Sequence, residues 1–211
     1  MTTRKPPSIP EDTYHELIDA TVLALYKVGY ANLGVRDIDE EFDKSRQLIN
    51  HYFDGKEELI TELLAYLLAY EDERREVPTD GDPLEKLDAE IDSVLLGSET
   101  NDYDFWMFMT VIYEIMTQLH QNARHRELVN RLRTGYVEEL AEIIEEGIEA
   151  GRFVDVDALL VAGMIEDLIA GTHLRKIYLG QDDAPTETRE AIDRFVIPLL
   201  QSNSANEASS D

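Results

Sequence analysis

The chain has 211 residues and a formal net charge of −26, with 45 acidic against 19 basic side chains. The absence of cysteine excludes disulfides, thiol nucleophiles and cysteine-bound metals, so packing must stabilise the fold. The sequence contains no apolar run of membrane-spanning length and no leader-like apolar core, which predicts a cytoplasmic protein without a membrane partner.

The acidic side chains are spread along the whole chain, unlike those of an acidic tail, and two explanations stay open. A hydrated acidic surface keeps a protein soluble in molar salt, which would place this one in a halophile. The second explanation is a DNA mimic, whose carboxylates imitate phosphates. A mimic has no use for a basic recognition element, so the position of the scarce cations bears on the choice.

Apolar positions that recur every three or four residues predict an all-α chain of nine helices. A flexible polar arm over 1–10 precedes them, and a polar tail over 202–211 is expected to be disordered. The linker VPTDGDP over 77–83 predicts a domain boundary. The expected helices span 11–29, 35–42, 45–52, 56–76, 84–97, 102–121, 123–150, 156–179 and 186–201.

The third helix, capped by Ser45, separates its side chains into two faces when successive residues are turned by about 100°. Leu48, Ile49, Tyr52 and Phe53 form an apolar face. The opposite, polar face consists of Arg46, Gln47, Asn50 and His51. Arginine, glutamine and asparagine read base edges in the major groove, and a recognition helix presents them in this way. The face predicts DNA binding, although a merely solvated face has the same pattern.

The motifs KVGYANLGVRDI, DKSRQLINHYF and DGKEEL follow one another along this region. Through them, residues 14–64 resemble the DNA-binding region of the TetR family of transcriptional regulators. The resemblance implies a nine-helix fold with a helix-turn-helix domain over 11–54, a connecting helix over 55–76, and a ligand-binding and dimerisation domain over 84–201. It also implies a homodimer that acts most often as a repressor on a pseudo-palindromic operator in double-stranded DNA, under the control of an unknown small-molecule effector. The expected DNA-binding residues are Arg36, Lys44, Ser45, Arg46, Gln47, Asn50, His51, Tyr52 and Lys56.

The sequence departs from the family pattern at three places. The usual Ala-Gly-Val turn is Phe42, Asp43 and Lys44; the threonine that often caps the second helix is Gly34; and the first tyrosine of the closing motif is Asn50. We expect a reshaped turn. An alternative function therefore stays open, that of a ligand-sensing or protein-interaction module that has kept the fold and lost DNA binding.

The cations of this region bear on the question of the mimic. Within 44–56, Lys44, Arg46 and Lys56 are opposed only by Asp54. A local positive patch is expected there, and a DNA mimic would not keep one.

Two helices of the larger domain are rich in methionine and aromatic side chains, which suit an ordinary core or an adaptable apolar pocket. The expected effector contacts are Trp106, Met109, Tyr113, Met116, Met164 and His173. The last two helices are similar to those of the BetI-like branch and are apolar on more than one face, which predicts a four-helix homodimer interface. Its expected residues are Leu160, Met164, Leu168, Ile192, Phe195, Val196 and Leu199. HExxH, GxSxG and phosphate-loop motifs do not occur, so we expect no enzyme, cofactor or metal site.

Overall fold

The structure, a computed structural model, describes residues 9–44, 46–75, 81–97, 105–118 and 121–201, with the backbone alone at position 46 and over 70–75. The cap Ser45, most of the predicted arm and linker, and the predicted tail lie outside these residues. The helices are α1 (Glu11–Asn32), α2 (Val35–Glu41), α3 (Arg46–Tyr52), α4 (Lys56–Arg75), α5 (Pro83–Leu95), α6 (Phe105–Met116), α7 (Ala123–Glu149), α8 (Ala158–Leu179), α9 (Ala184–Ala191) and α10 (Ile197–Leu200).

A π-helical turn, Ile192–Val196, joins α9 to α10, so these three segments form one continuous helical run. With this run counted once, the described residues contain nine helices and confirm the predicted all-α class. Outside the helices they show an isolated antiparallel bridge between Phe153 and Gln201. None of the helices in the described ranges has both the length and the hydropathy of a membrane span.

The chain divides into two compact units. The first contains α1 to α4, α6 and the part of α7 that ends at Arg133. Its core includes Leu25 of α1, Ile49 of α3, Leu63 of α4 and Ile115 of α6, all fully buried. The sequence places α6 within one domain over 84–201, whereas the structure packs its apolar side chains together with those of α1 and α4.

Helix α1 changes direction at Gly29, where φ is 71° and ψ is 161°. Only glycine adopts this conformation without strain, because it has no Cβ. The predicted end of the helix therefore coincides with a kink, after which a last helical turn reaches Asn32. The kink brings the Tyr30 N–H within 3.2 Å of Glu114 Oε2 on α6.

The second unit contains α5, the rest of α7, α8 and the final helical run. Arg189 joins α9 to α5, because its guanidinium lies 2.6 Å from both Asp88 Oδ1 and Asp92 Oδ1 and 2.5 Å from Asp193 Oδ1. Burial alone would lower the pKa of Arg189, but hydrogen bonding and the three negative charges outweigh it and raise that pKa. The ion pair therefore stays charged and holds the two helices together.

The π-helical turn determines which side chains of the final run are buried. The Ile197 N–H bonds the Ile192 carbonyl oxygen five residues earlier, so this turn holds one residue more than an α-helical turn. Pro198 follows, and a proline within a helix lacks the N–H and needs room for its ring. Ile192 and Val196 lie in the core, as do Ile197 and Leu200, while Phe195 and Leu199 are 63% and 67% exposed.

Candidate nucleic-acid interface

Helix α3 exposes one polar face, and its opposite, apolar face packs on the core. Ile49 and Phe53 are buried in the core of the first unit, and Leu48 and Tyr52 are half-buried against it. The exposed side chains are Gln47, Asn50 and His51. For the side chains that the structure describes, the predicted division of this helix into two faces is confirmed. A helix held in this way can present hydrogen-bonding groups without rearranging.

The turn between α2 and α3 accommodates its bulky and charged residues. Phe42 is only 5% exposed and belongs to the core. Lys44 reaches back to α1, where its Nζ donates to Thr13 Oγ1 at 3.0 Å and pairs with Glu16 Oε2 at 2.5 Å. Asp43, between these two anchors, is exposed. The unusual sequence therefore forms a turn that is fixed at both ends.

Helix α2 is preceded by Gly34, which has no side chain to cap the helix. The cap is supplied in the reverse direction, because the Gly34 N–H donates to Asp37 Oδ2 at 2.8 Å. Arg36 in the first turn is largely exposed and lies 3.3 Å from Glu40 Oε1, measured from its Nε. Without a threonine cap, the start of α2 is therefore held by the Asp37 carboxylate and by the bond from the Asp37 N–H to the Gly34 carbonyl oxygen.

Lys56, the first residue of α4, is engaged with the end of α1. Its Nζ donates to the Tyr30 carbonyl oxygen at 3.0 Å and lies 4.9 Å from the centroid of the Tyr30 ring. The Tyr30 hydroxyl donates to Glu57, with both carboxylate oxygens at 2.9 Å, and burial together with this bond raises the pKa of Tyr30. Lys56 is therefore oriented by a neutral carbonyl and a ring.

The predicted positive patch is only partly free of acids. Lys44, Arg46 and Lys56 were expected to be opposed by Asp54 alone, which is wrong for Lys44, because α1 supplies Glu16 at 2.5 Å. A count of charges along a stretch of sequence misses partners that the fold brings from another helix. The side chain of Arg46 lies outside the described residues.

The predicted effector contacts are distributed over both compact units. Trp106 and Met109 are half-buried on α6 of the first unit, which also carries Tyr113, 9% exposed, and Met116, 39% exposed. On α8 of the second unit, Met164 is 40% exposed.

His173, also on α8, is buried. Its Nε2 is 2.8 Å from the Val94 carbonyl oxygen, to which it donates. Burial lowers the pKa of His173. The imidazole is therefore neutral and holds α8 to α5.

Helix α8 has an exposed apolar side. An open groove of about 420 Å³ runs along it and is lined by Leu159, Leu160, Gly163, Met164, Asp167 and Leu168. Leu160 is 71% exposed, and Phe195 and Leu199 in the final run are exposed to a similar extent. Ile192 and Val196, expected at the same interface, are instead buried in their own chain.

Two family models match this chain. Residues 17–63 match the model of bacterial regulatory proteins of the tetR family. Residues 80–174 match that of the tetracyclin repressor-like, C-terminal domain. Together the matches span more than half of the chain, and the first includes all of α2 and α3.

Solved structures of similar fold match this chain over nearly its whole length. A TetR transcription regulator from Haloarcula marismortui is 26% identical with a TM-score of 0.80, over 91% of this chain and 100% of the other. A transcriptional regulator from Saccharomonospora viridis in complex with choline is 20% identical with a TM-score of 0.78, over 91% and 99%. The reduced form of NemR from E. coli is 16% identical with a TM-score of 0.71, over 90% and 98%. Among curated proteins, none matches this sequence significantly.

Proposed function

Because the chain belongs to the TetR family of bacterial regulatory proteins, we propose that it is a homodimeric, ligand-responsive repressor acting on a pseudo-palindromic operator. It is a DNA-binding transcriptional regulator with a helix-turn-helix domain at its N-terminal end. The observation that carries the proposal is the exposed polar face of α3, set on a buried apolar face. The buried Phe42 also argues against the alternative of a module that has lost DNA binding, since the turn before α3 remains packed.

Within this proposal, the polar face of α3 reads bases and its surroundings hold phosphate. Arg46, Gln47 and Asn50 are the base-reading residues, since their side chains suit guanine and adenine edges. Tyr52 and Lys56 hold phosphate oxygens. On the strength of the sequence pattern, the further contacts are Arg36, Ser45 and His51.

The test compares base-reading with phosphate-holding residues. Arg46→Ala should cost about 1 to 3 kcal/mol and relax the preference at one base position, whereas Lys56→Ala should weaken all sequences about equally. Arg131→Ala is the matched control, because it removes one exposed positive charge from α7 of the same unit. The measurement is selection from a randomised operator library followed by anisotropy titration. An unchanged base preference in Arg46→Ala would contradict the assignment.

We further propose that a second copy of the chain covers the apolar side of α8 and the final run. The interface comprises Leu160, Met164, Leu168, Phe195 and Leu199, whose side chains are exposed in the single chain. Ile192 and Val196 are left out because they are already buried. Apolar side chains of this size and exposure, brought together on one unit, favour burial against a symmetric partner.

The expected effector contacts stay a prediction: Trp106, Met109, Tyr113 and Met116 on α6, and Met164 and His173 on α8. We propose a quaternary ammonium compound as the effector, because aromatic rings attract such cations and the Saccharomonospora viridis regulator is in complex with choline. Isothermal titration with choline should show binding, and its neutral carbon isostere 3,3-dimethyl-1-butanol should bind much more weakly. Equal affinity for the two compounds would show that the positive charge of choline does not contribute to binding.

The net charge of −26 supports an origin in a halophile, and the similarity to the Haloarcula marismortui regulator supports it too. Since the proposed operator is chromosomal DNA, the cytoplasm is the proposed place of action.

A further inference from the structure

We propose that Lys44 is a positioning residue for DNA recognition, which fixes the start of the recognition helix to α1 through Glu16 and Thr13. The sequence pattern assigns Lys44 to DNA contact, whereas this inference gives it an intramolecular role. It rests on the proposed function, because positioning matters only if α3 reads DNA.

The geometry of Lys44 supports this role. Its Nζ is 2.5 Å from Glu16 Oε2 and 3.0 Å from Thr13 Oγ1. Thr13 is 9% exposed, so one of the two acceptors belongs to the packed body of α1. The Lys44 side chain is itself only 33% exposed. A phosphate would have to displace a carboxylate that is already in contact with the ammonium group.

The position of Lys44 in the chain explains what the contact fixes. It stands two residues before Arg46, the first residue of α3. On its other side Phe42 is buried in the core of the same unit. The turn is thus held by an apolar anchor and an ionic anchor, and the ionic one is the nearer to the recognition helix. Loss of the ionic anchor frees the start of α3 to shift relative to α1.

The expected effect on binding is larger than the effect on folding. A partly exposed ion pair contributes little to stability, so the folded fraction should hardly change. Bidentate base contacts, however, require the helix to stand in register with the base edges. If one such contact is lost from each half-site, operator affinity should fall by about tenfold or more. Affinity for unrelated sequences depends on phosphate contacts and should not fall with it.

The decisive variant is Glu16→Gln, for which the two roles of Lys44 predict opposite signs. If Glu16 positions the turn, its neutralisation weakens operator binding by about tenfold relative to the control. If Lys44 contacts phosphate, the same variant frees its ammonium group and strengthens binding. The matched control is Asp12→Asn, which removes one exposed negative charge from the first turn of the same helix.

The assay is fluorescence anisotropy on full-length protein, with an operator selected from a random library and an unrelated duplex of equal length. Binding by Glu16→Gln equal to or stronger than that by Asp12→Asn would overturn the inference, provided that the wild type prefers the selected operator. If the wild type has no preferred sequence at all, the proposed function itself fails.

A charge exchange distinguishes loss of the ion pair from misfolding. Lys44→Glu alone should lose operator preference, and the double variant Lys44→Glu with Glu16→Lys should recover at least half of the loss in log affinity. A phosphate contact would not be restored by the exchange, because its cation would then stand on α1. The salt slope of Glu16→Gln adds a second readout, because a Lys44 that contacted phosphate would no longer expose a carboxylate and the dimer's slope would steepen by about 2. An unchanged slope with lower affinity supports positioning, and a steeper slope contradicts it.

Discussion

Operator affinity should depend unusually weakly on salt, and the pairing of the cations around α3 sets the expected size of the effect. Four cations per protomer are candidates for phosphate contact: Arg36, Lys44, Arg46 and Lys56. If all eight of a dimer neutralised phosphate, log affinity would fall with log salt at a slope of about −7. Tenfold more potassium chloride would then cost roughly seven orders of magnitude in affinity.

The structure reduces this number. Lys44 is paired with Glu16 and Arg36 with Glu40, so transfer of either cation to a phosphate exposes a carboxylate that takes up a cation from solution. The release of one counterion is then offset by the uptake of another. Even if Arg46 is counted with Lys56, at most two cations per protomer then release counterions without such an offset, which limits the slope to about −4 or shallower. The dimer carries −26 on each chain. Its other carboxylates should make the salt slope of operator affinity shallower still.

The assay is an anisotropy titration between about 0.2 M and 2 M potassium chloride, with circular dichroism in parallel to verify folding. Glu40→Gln should steepen the slope by about 2 per dimer, because it leaves Arg36 without a carboxylate to exchange. Asp43→Asn removes another exposed acid and should leave the slope unchanged. A slope clearly steeper than about −4 for the folded wild type would refute the reasoning.

Three further predictions concern stability and assembly. Arg189→Ala should lower the free energy of unfolding by about 2 kcal/mol in urea titrations, since it leaves three carboxylates without their common cation; a change below about 0.5 kcal/mol would contradict this. Burial lowers the pKa of His173, so the unfolded chain takes up its proton first and stability should fall below about pH 6.5. His173→Gln should flatten that dependence in unfolding curves recorded between about pH 5 and pH 8, and an identical pH profile would reject the explanation. Leu160→Asp should yield folded monomers in sedimentation experiments, because the side chain is 71% exposed in its own chain. The control Leu96→Asp, at another exposed leucine, should remain dimeric. A dimer formed by Leu160→Asp would remove that residue from the interface.

Sequence periodicity predicts well those features that depend on neighbours along one helix. The two faces of α3 follow from a repeat of 3.6 residues. Ile49 is buried and Asn50 is exposed, as that repeat requires. The first helix is predicted to end at Gly29, and the structure has a kink at that residue, followed by one more turn to Asn32. These predictions need no knowledge of the remaining fold.

The features that sequence reasoning missed depend on contacts between helices. The partner of Lys44 is Glu16, which lies on another helix. The packing of α6 with α1 also depends on which apolar surfaces meet, and methionine and aromatic side chains suit a core as well as a pocket. In the final run, an ideal helical repeat cannot foresee that Ile192 is buried and Phe195 exposed across a turn with an extra residue.

That π-helical turn has a consequence for the geometry of the chain after it. The wide turn takes up its extra residue and leaves the following residues at nearly the angular phase of a regular helix that is one residue shorter. Deletion of one residue within 192–196 should therefore restore a regular helix and keep Leu200 in the core and Leu199 exposed. If all five residues instead adopted regular α-helical bonding, everything downstream would rotate by about 100° and Leu200 would leave the core. The register of the last helical turn therefore depends on one wide turn, which should tolerate a single-residue deletion better than the regular helix after it.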